Sequence, residues 1–267
     1  MTHPSSTLTR DRVLVTVAGV LCLVGTALGT GLLGDSVATQ GEGLFSDSAT
    51  LIAPHGPAFS IWSVIYLGLF GYVGWQWLPA SAGSSWAALS RRLGAASLAL
   101  NGLWLLVVQA GWVWVSVVVI VGLLATLAVL YRRFTGTPDS GVAEKALVQG
   151  TFGLYLGWVC VAVCANIAVA LVDSGVPPTG TGPAWATVAV LAAVVGIAAG
   201  VVWTPVPLVA RCAAGAAVVW GLSWVAAGRL ADAPSSALVG WSAAAAAAMV
   251  AIAVAVSARM VSTRSAA

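Results

Sequence analysis

Two asparagines and a set of tryptophans and tyrosines stand where the surrounding sequence is otherwise apolar. Asn101 lies three residues before Trp104 in LALNGLWLLVVQAG. Asn166 follows Tyr155, Trp158 and Ala162 in an uncharged stretch from Ala146 to Val172. At 100° per residue these last four fall within an arc of roughly 80°, and Gly153, Gly157, Cys160 and Cys164 cluster about half a turn away. The stretch therefore has a lining face and a packing face. An amide or an indole in hydrocarbon finds no partner in its solvent, so each must bond to a neighbouring helix or to a bound molecule. The chemistry on offer is stacking and hydrogen bonding.

A third aromatic stripe, Phe59, Trp62 and Tyr66 at i, i+3 and i+7, opens the segment PHGPAFSIWSVIYLGLFGYVGWQWLP. Aromatics at helical spacing are most often core packing. Three helices presenting aromatic faces, two of them with an amide, also suit a pocket for a flat apolar ligand. Other chemistries lack their groups. No span carries Asp or Glu near its centre and none carries a lysine, which leaves ion-coupled carriage and a retinal Schiff base without their usual residues. There is no Ser/His/Asp set, phosphate-binding loop or carboxylate pair, so no enzyme is expected. Cys22, Cys160, Cys164 and Cys212 all lie in spans, and the only histidines, His3 and His55, lie outside them. Neither a disulfide nor a metal centre is expected.

The elements that must position these residues follow from composition. The chain has 267 residues, 60% hydrophobic and 7% charged, with a mean hydropathy of +1.00. A soluble domain carries about a quarter charged residues, so the lipid bilayer must be the solvent. Eight segments reach the roughly 20 apolar residues a span needs, near 13–33, 57–78, 93–110, 112–131, 146–172, 184–203, 205–227 and 237–258. The expected fold is all-α, a polytopic membrane bundle. With the N terminus inside, ten of the eleven basic residues fall on the cytoplasmic side and only Arg229 falls outside, which favours an even span count with both termini cytoplasmic. Asp35, Glu42, Asp47, Asp173 and Asp232 fall on outer loops. The first span exceeds a signal-peptide core and reads as a retained helix. One lysine against ten arginines, amid much Ala, Val and Gly, suggests a GC-rich bacterial genome and so a bacterial inner membrane. No basic patch suits nucleic acid.

The Gly- and Pro-rich SGVPPTGTGP at 174–183 divides a five-helix unit, 1–173, from a three-helix extension, 184–267. The loop from Gly34 to Gly56 is long enough to be an external flap. In the extension, Gly196 and Gly200 have the spacing of a close helix contact. Trp220 and Trp224, like Trp75 and Trp77, read as interfacial belt residues. Arg211 is close enough to a helix end to snorkel.

The segments W-S-V-I-Y, L-N-G-L-W and Y-L-G-W-V-x-x-A-x-x-x-N, in that order, resemble the TspO/MBR, or tryptophan-rich sensory protein, family over roughly residues 8–172. The resemblance implies a five-helix membrane fold. It also implies binding of porphyrins, other haem-related tetrapyrroles or sterols within the bundle, beneath the loop after the first helix. Phe59, Trp62, Tyr66, Asn101, Trp104, Tyr155, Trp158 and Asn166 are the candidate ligand-binding residues, with indoles stacking and amides bonding to ligand polar groups. Two departures stand out: Phe59 is three residues before Trp62 where the family has four, and Leu154 replaces a proline. The three further helices are outside the family's common plan and offer a dimer face, a gate or a second pocket. The expected function is a receptor or sensor for a hydrophobic aromatic metabolite, with no cofactor required, a porphyrin or haem-like molecule as the candidate ligand, and a homodimer as a candidate assembly. The rival expectations are a transporter of a small apolar solute and a membrane assembly protein.

Overall fold

In hydrocarbon a backbone must satisfy its own polar groups, and an isolated segment does so only as a helix. The computed structural model describes residues 4–29, 43–137 and 140–266, with side chains from 7 to 260 inside those ranges. Eight of its helices are long and apolar enough to cross a membrane, and no strand occurs among the described residues. They are α1 (Pro4–Gly29), α2 (Ile61–Trp75), α3 (Ser85–Gln109), α4 (Val113–Arg132), α5 (Thr151–Asp173), α6 (Thr181–Trp203), α7 (Leu208–Ala231) and α8 (Ala237–Ala266). The protein is thus an all-α, multi-pass membrane bundle. Asp35 and Glu42 of the expected flap lie outside the described residues.

Local chemistry shifts several ends from the apolar runs. A 3-10 turn, Gly56–Ser60, leads into α2. The α3 helix begins eight residues before its apolar run, because the Ser84 side chain caps it by accepting from Ala87 N at 3.2 Å. Its early turns also bury Arg91, which donates to Gln76 Oε1 at 2.9 Å and to Ser81 O at 2.8 Å. A π-helical turn, Lys145–Gly150, precedes α5, and there the Thr151 hydroxyl donates to Ala146 O, five residues back, at 3.0 Å.

Helices α1 to α5 form a closed ring in which α1 meets α2, α2 meets α5, α5 meets α4, α4 meets α3, and α3 returns to α1. Helices α6, α7 and α8 all touch one another and join the ring chiefly through α7 against α5. Glycine sets both of the closest crossings. A Cβ at Gly25 would stand 2.8 Å from Gly102 O, and one at Gly102 would stand 2.6 Å from Leu21 O, so the α1 and α3 backbones touch. A Cβ at Gly153 would meet Ala210 O at 2.6 Å, and one at Gly157 would collide with Ala214 O. The Gly face of α5 is therefore the seam against α7, as close small-residue packing requires.

Two expectations need correction. Gly196 and Gly200 face open space, with nothing within 4 Å of a Cβ at either, so their spacing marks no helix contact. Trp75 is 4% exposed and packs in the core of the ring instead of the interface, because it lies beside Tyr72 at 6.4 Å on the inner side of α2. Trp77 is half exposed and donates to Thr16 Oγ1 at 2.9 Å.

These glycines differ in what a methyl group would do. Gly157→Ala is expected to lower stability by about 1–3 kcal/mol through forced separation of α5 and α7. Gly196→Ala is expected to be neutral or stabilising by up to ~1 kcal/mol, since it gains only helix propensity. Unfolding midpoints of the two purified variants in the same detergent check the contrast.

Candidate functional site

Two amides tie the ring together. Asn166 on α5 accepts from Trp104 Nε1 on α3 at 2.7 Å and donates through Nδ2 to Ser116 Oγ on α4 at 2.9 Å. Ser116 Oγ in turn donates to Val113 O at 2.6 Å. Asn101 on α3 accepts at Oδ1 from Tyr66 OH on α2 at 3.1 Å and from Cys22 Sγ on α1 at 3.4 Å. Each amide joins its own helix to two others, and together they reach all five. Both are buried, at 1% and 3% exposure, where an unpaired amide would be costly.

Between the two knots lies a cavity of about 70 Å³. Trp62, Asn101, Trp104, Trp158 and Asn166 line it, and Phe59 stands at its margin. The aromatic walls pack edge to face: Phe59 against Trp158 at 5.8 Å and 82°, and Trp62 against Trp158 at 6.2 Å and 84°. Of the eight residues expected from the sequence, six meet at this cavity and two stand behind it. Tyr66 stacks on Trp62 at 5.1 Å and holds Asn101. Tyr155 is fully buried and backs Trp62 edge-on at 5.8 Å, with its hydroxyl 3.4 Å from Ser97 O.

The walls supply more than those residues. Ile120 and Leu123 of α4 and Val159, Ala162, Ala165 and Val169 of α5 complete the apolar surface. Phe45, Ser46, Ala53 and Pro54 roof it from the segment before α2. Apolar lining residues carry no signal beyond helical phase, and the roof residues carry none at all. Ser116 was the one missed residue with a usable signal, a hydroxyl alone in a run of valines.

Burial leaves two polar atoms of the lining unpaired. Asn101 Nδ2 and Trp158 Nε1 have no hydrogen-bond partner among the described residues. Both are donors. The chamber thus presents aromatic faces and two residues that each carry a free donor, and among the described residues its lining holds no ionisable side chain.

The roof is fastened by α7, where the sequence suggested only an interfacial belt. Trp220 Nε1 donates to Ala58 O at 2.9 Å, and His55 N donates to Trp224 O at 3.2 Å. The two indoles pack on each other at 5.6 Å, and the His55 ring lies 5.9 Å from Trp224. They are structural ties because the Trp220 indole N–H and the Trp224 backbone carbonyl both meet the roof backbone. Arg211 at the other end of α7 donates to Ser257 Oγ at 3.2 Å and to Val206 O at 2.8 Å, bridging to α8.

A closed ring of five spans around an aromatic chamber, roofed by the segment before its second helix, defines a chambered multi-pass membrane protein. The family model described as TSPO-like protein matches residues 12–256, and the chain belongs to that family. The match runs into α8 and so takes in the three C-terminal helices, beyond the stretch covered by the motifs of α2, α3 and α5. No curated protein and no solved structure matches the chain.

Replacing Asn166 by valine would leave the Trp104 indole N–H and the Ser116 hydroxyl without their present partner. A stability loss of roughly 1–2 kcal/mol is expected. Ser116→Ala, which removes only one link, should cost less. Thermal unfolding of the two variants beside the parent protein measures the difference.

Proposed function

We propose that the chamber binds a flat, apolar aromatic metabolite bearing hydrogen-bond acceptors, and that the protein acts as a membrane receptor or sensor without transforming its ligand. The observation that carries this reading is the pair of free donors, Asn101 Nδ2 and Trp158 Nε1, on residues lining a pocket walled mainly by rings and aliphatic groups. A buried donor without a partner costs stability, on the order of 1–3 kcal/mol, which a ligand acceptor would relieve. Porphyrins and other tetrapyrroles are the ligand class indicated by the TspO/MBR resemblance, and their ring planes and acceptors suit indole faces and free N–H groups. The cavity of about 70 Å³ is well below the roughly 300–1,000 Å³ typical of small-molecule sites. Binding on that scale therefore requires the roof to move.

The same reading places the protein in a bacterial inner membrane with both termini cytoplasmic. Ten of eleven basic residues then lie at the inner ends of the spans, and the chamber opens toward the outer face.

Protoporphyrin IX titrated into the purified protein is expected to quench tryptophan fluorescence saturably. In an Asn101→Ala, Trp158→Phe double variant the dissociation constant should rise roughly tenfold or more, as two hydrogen bonds near 1 kcal/mol each imply. Pyrene, a flat hydrocarbon without acceptors, should not distinguish the two proteins by more than the loss of ring area. Unchanged porphyrin affinity in a folded double variant would overturn the assignment.

A further inference from the structure

Arg229, near the end of α7, is 1% exposed. Its side chain reaches into the roof, where Nη1 donates to Thr50 O at 3.1 Å and Nη2 to Asp47 O at 3.0 Å. The guanidinium is thus spent on two backbone carbonyls of one turn, and a fork of this shape is needed to hold both. Around it the roof is knotted to itself and to α7. Asp47 Oδ2 accepts from Gly56 N at 2.8 Å and stands 3.1 Å from His55 Nδ1, while Asp232 Oδ2, just beyond α7, stands 3.6 Å from the same nitrogen.

The packing shows why such ties matter. Leu51 and Ile52 of the roof belong to the apolar core of the three-helix unit, alongside Val218, Leu222 and Val225 of α7. On the ring side the roof faces the chamber through Ala53 and Pro54. Behind Thr50, Leu51 and Ile52 is a second cavity of about 140 Å³ against α5 and α6. Space on two sides of the strip leaves its packing chiefly to Leu51 and Ile52 against α7, and its backbone to the α7 donors.

We propose that Arg229 is a positioning residue of the ligand site, the main peg of a latch by which the C-terminal three-helix unit holds the roof shut over the chamber. The proposal rests on the reading of that chamber as the ligand site. Releasing the peg frees the turn at 47–50 and lets the roof lift from Trp62 and Trp158, with the glycine seam between α5 and α7 left intact. The extension then governs access to a site lined by the five-helix ring and the roof before α2.

The test reads access without any ligand, so its failure is separable from failure of the binding assignment. A thiol introduced in the chamber by Ala162→Cys reports opening through its rate of reaction with N-ethylmaleimide in detergent-solubilised full-length protein, located by peptide mass. Native Cys212, half-buried at the opposite end of α7, reports general loosening. Arg229→Met, which keeps length and removes the donors, is expected to raise the rate at position 162 at least tenfold and leave that of Cys212 within twofold. Trp220→Phe, which removes only the bond to Ala58 O, should raise it less and decides by the same criterion if the arginine variant does not fold. An unchanged rate at position 162, or a parallel rise at Cys212, overturns the latch.

Discussion

The ring depends on the requirement that an amide in hydrocarbon be satisfied by protein. Asn101 and Asn166 meet it across helices instead of within one, and each draws two neighbouring spans to a fixed distance. Apolar packing alone gives helices in a membrane little preference for one partner over another, since lipid tails are as apolar as leucine. Two polar knots at the same end of the bundle supply that preference. They also consume most of the polar capacity they bring: the carboxamide oxygens are both engaged, and of the two amide nitrogens only that of Asn101 remains free.

Helix α5 carries both sides of the architecture. Trp158, Ala162 and Asn166 face the chamber, and Gly153 and Gly157 let α7 approach until its carbonyls nearly touch the α5 backbone. That approach brings the far end of α7 alongside the roof. A bulkier seam would move Trp220, Trp224 and Arg229 outward and leave the roof backbone without its hydrogen-bond partners. Chamber and extension are therefore coupled through the helix between them, while the helices that line the chamber and the helix that secures its roof stay distinct.

Much of this was legible in the sequence because it depends on periodicity. The eight spans, the division of α5 into two faces and the gathering of Phe59, Trp62, Asn101, Trp104, Trp158 and Asn166 all follow from helical phase applied to residues that hydrocarbon tolerates poorly. Tyr66 and Tyr155 share that phase yet stand behind the lining, since a ring of five helices has depth and a phase angle does not tell which layer a side chain reaches. Gly196 and Gly200 failed for a related reason: spacing permits a close contact, and only a partner on that side creates one. Trp220 and Trp224 were read as belt residues because their position near a helix end is the same for a membrane anchor and for a tie to a loop. The roof contacts join residues up to 182 positions apart, and no local pattern announces them.

Arg229 is instructive because alternating spans set it apart from the other ten basic residues. Along alternating spans it lies at the end of the bundle opposite Arg12, Arg91 and Arg211. Arg12 reaches the turn after α2, donating to Ser81 Oγ at 3.2 Å, whereas Arg229 reaches the turn before it. A buried cation must be compensated locally. Here the compensation is two carbonyls, with the carboxylates of Asp47 and Asp232 near enough to act on its charge. Asp47 and Asp232 thereby acquire a reason for their positions: they offset an arginine that the roof requires and keep His55 in the same cluster. The exception in the charge pattern is therefore the sequence's trace of the roof's fastening, visible before the fold is known but interpretable only once the fold shows which backbone the guanidinium meets.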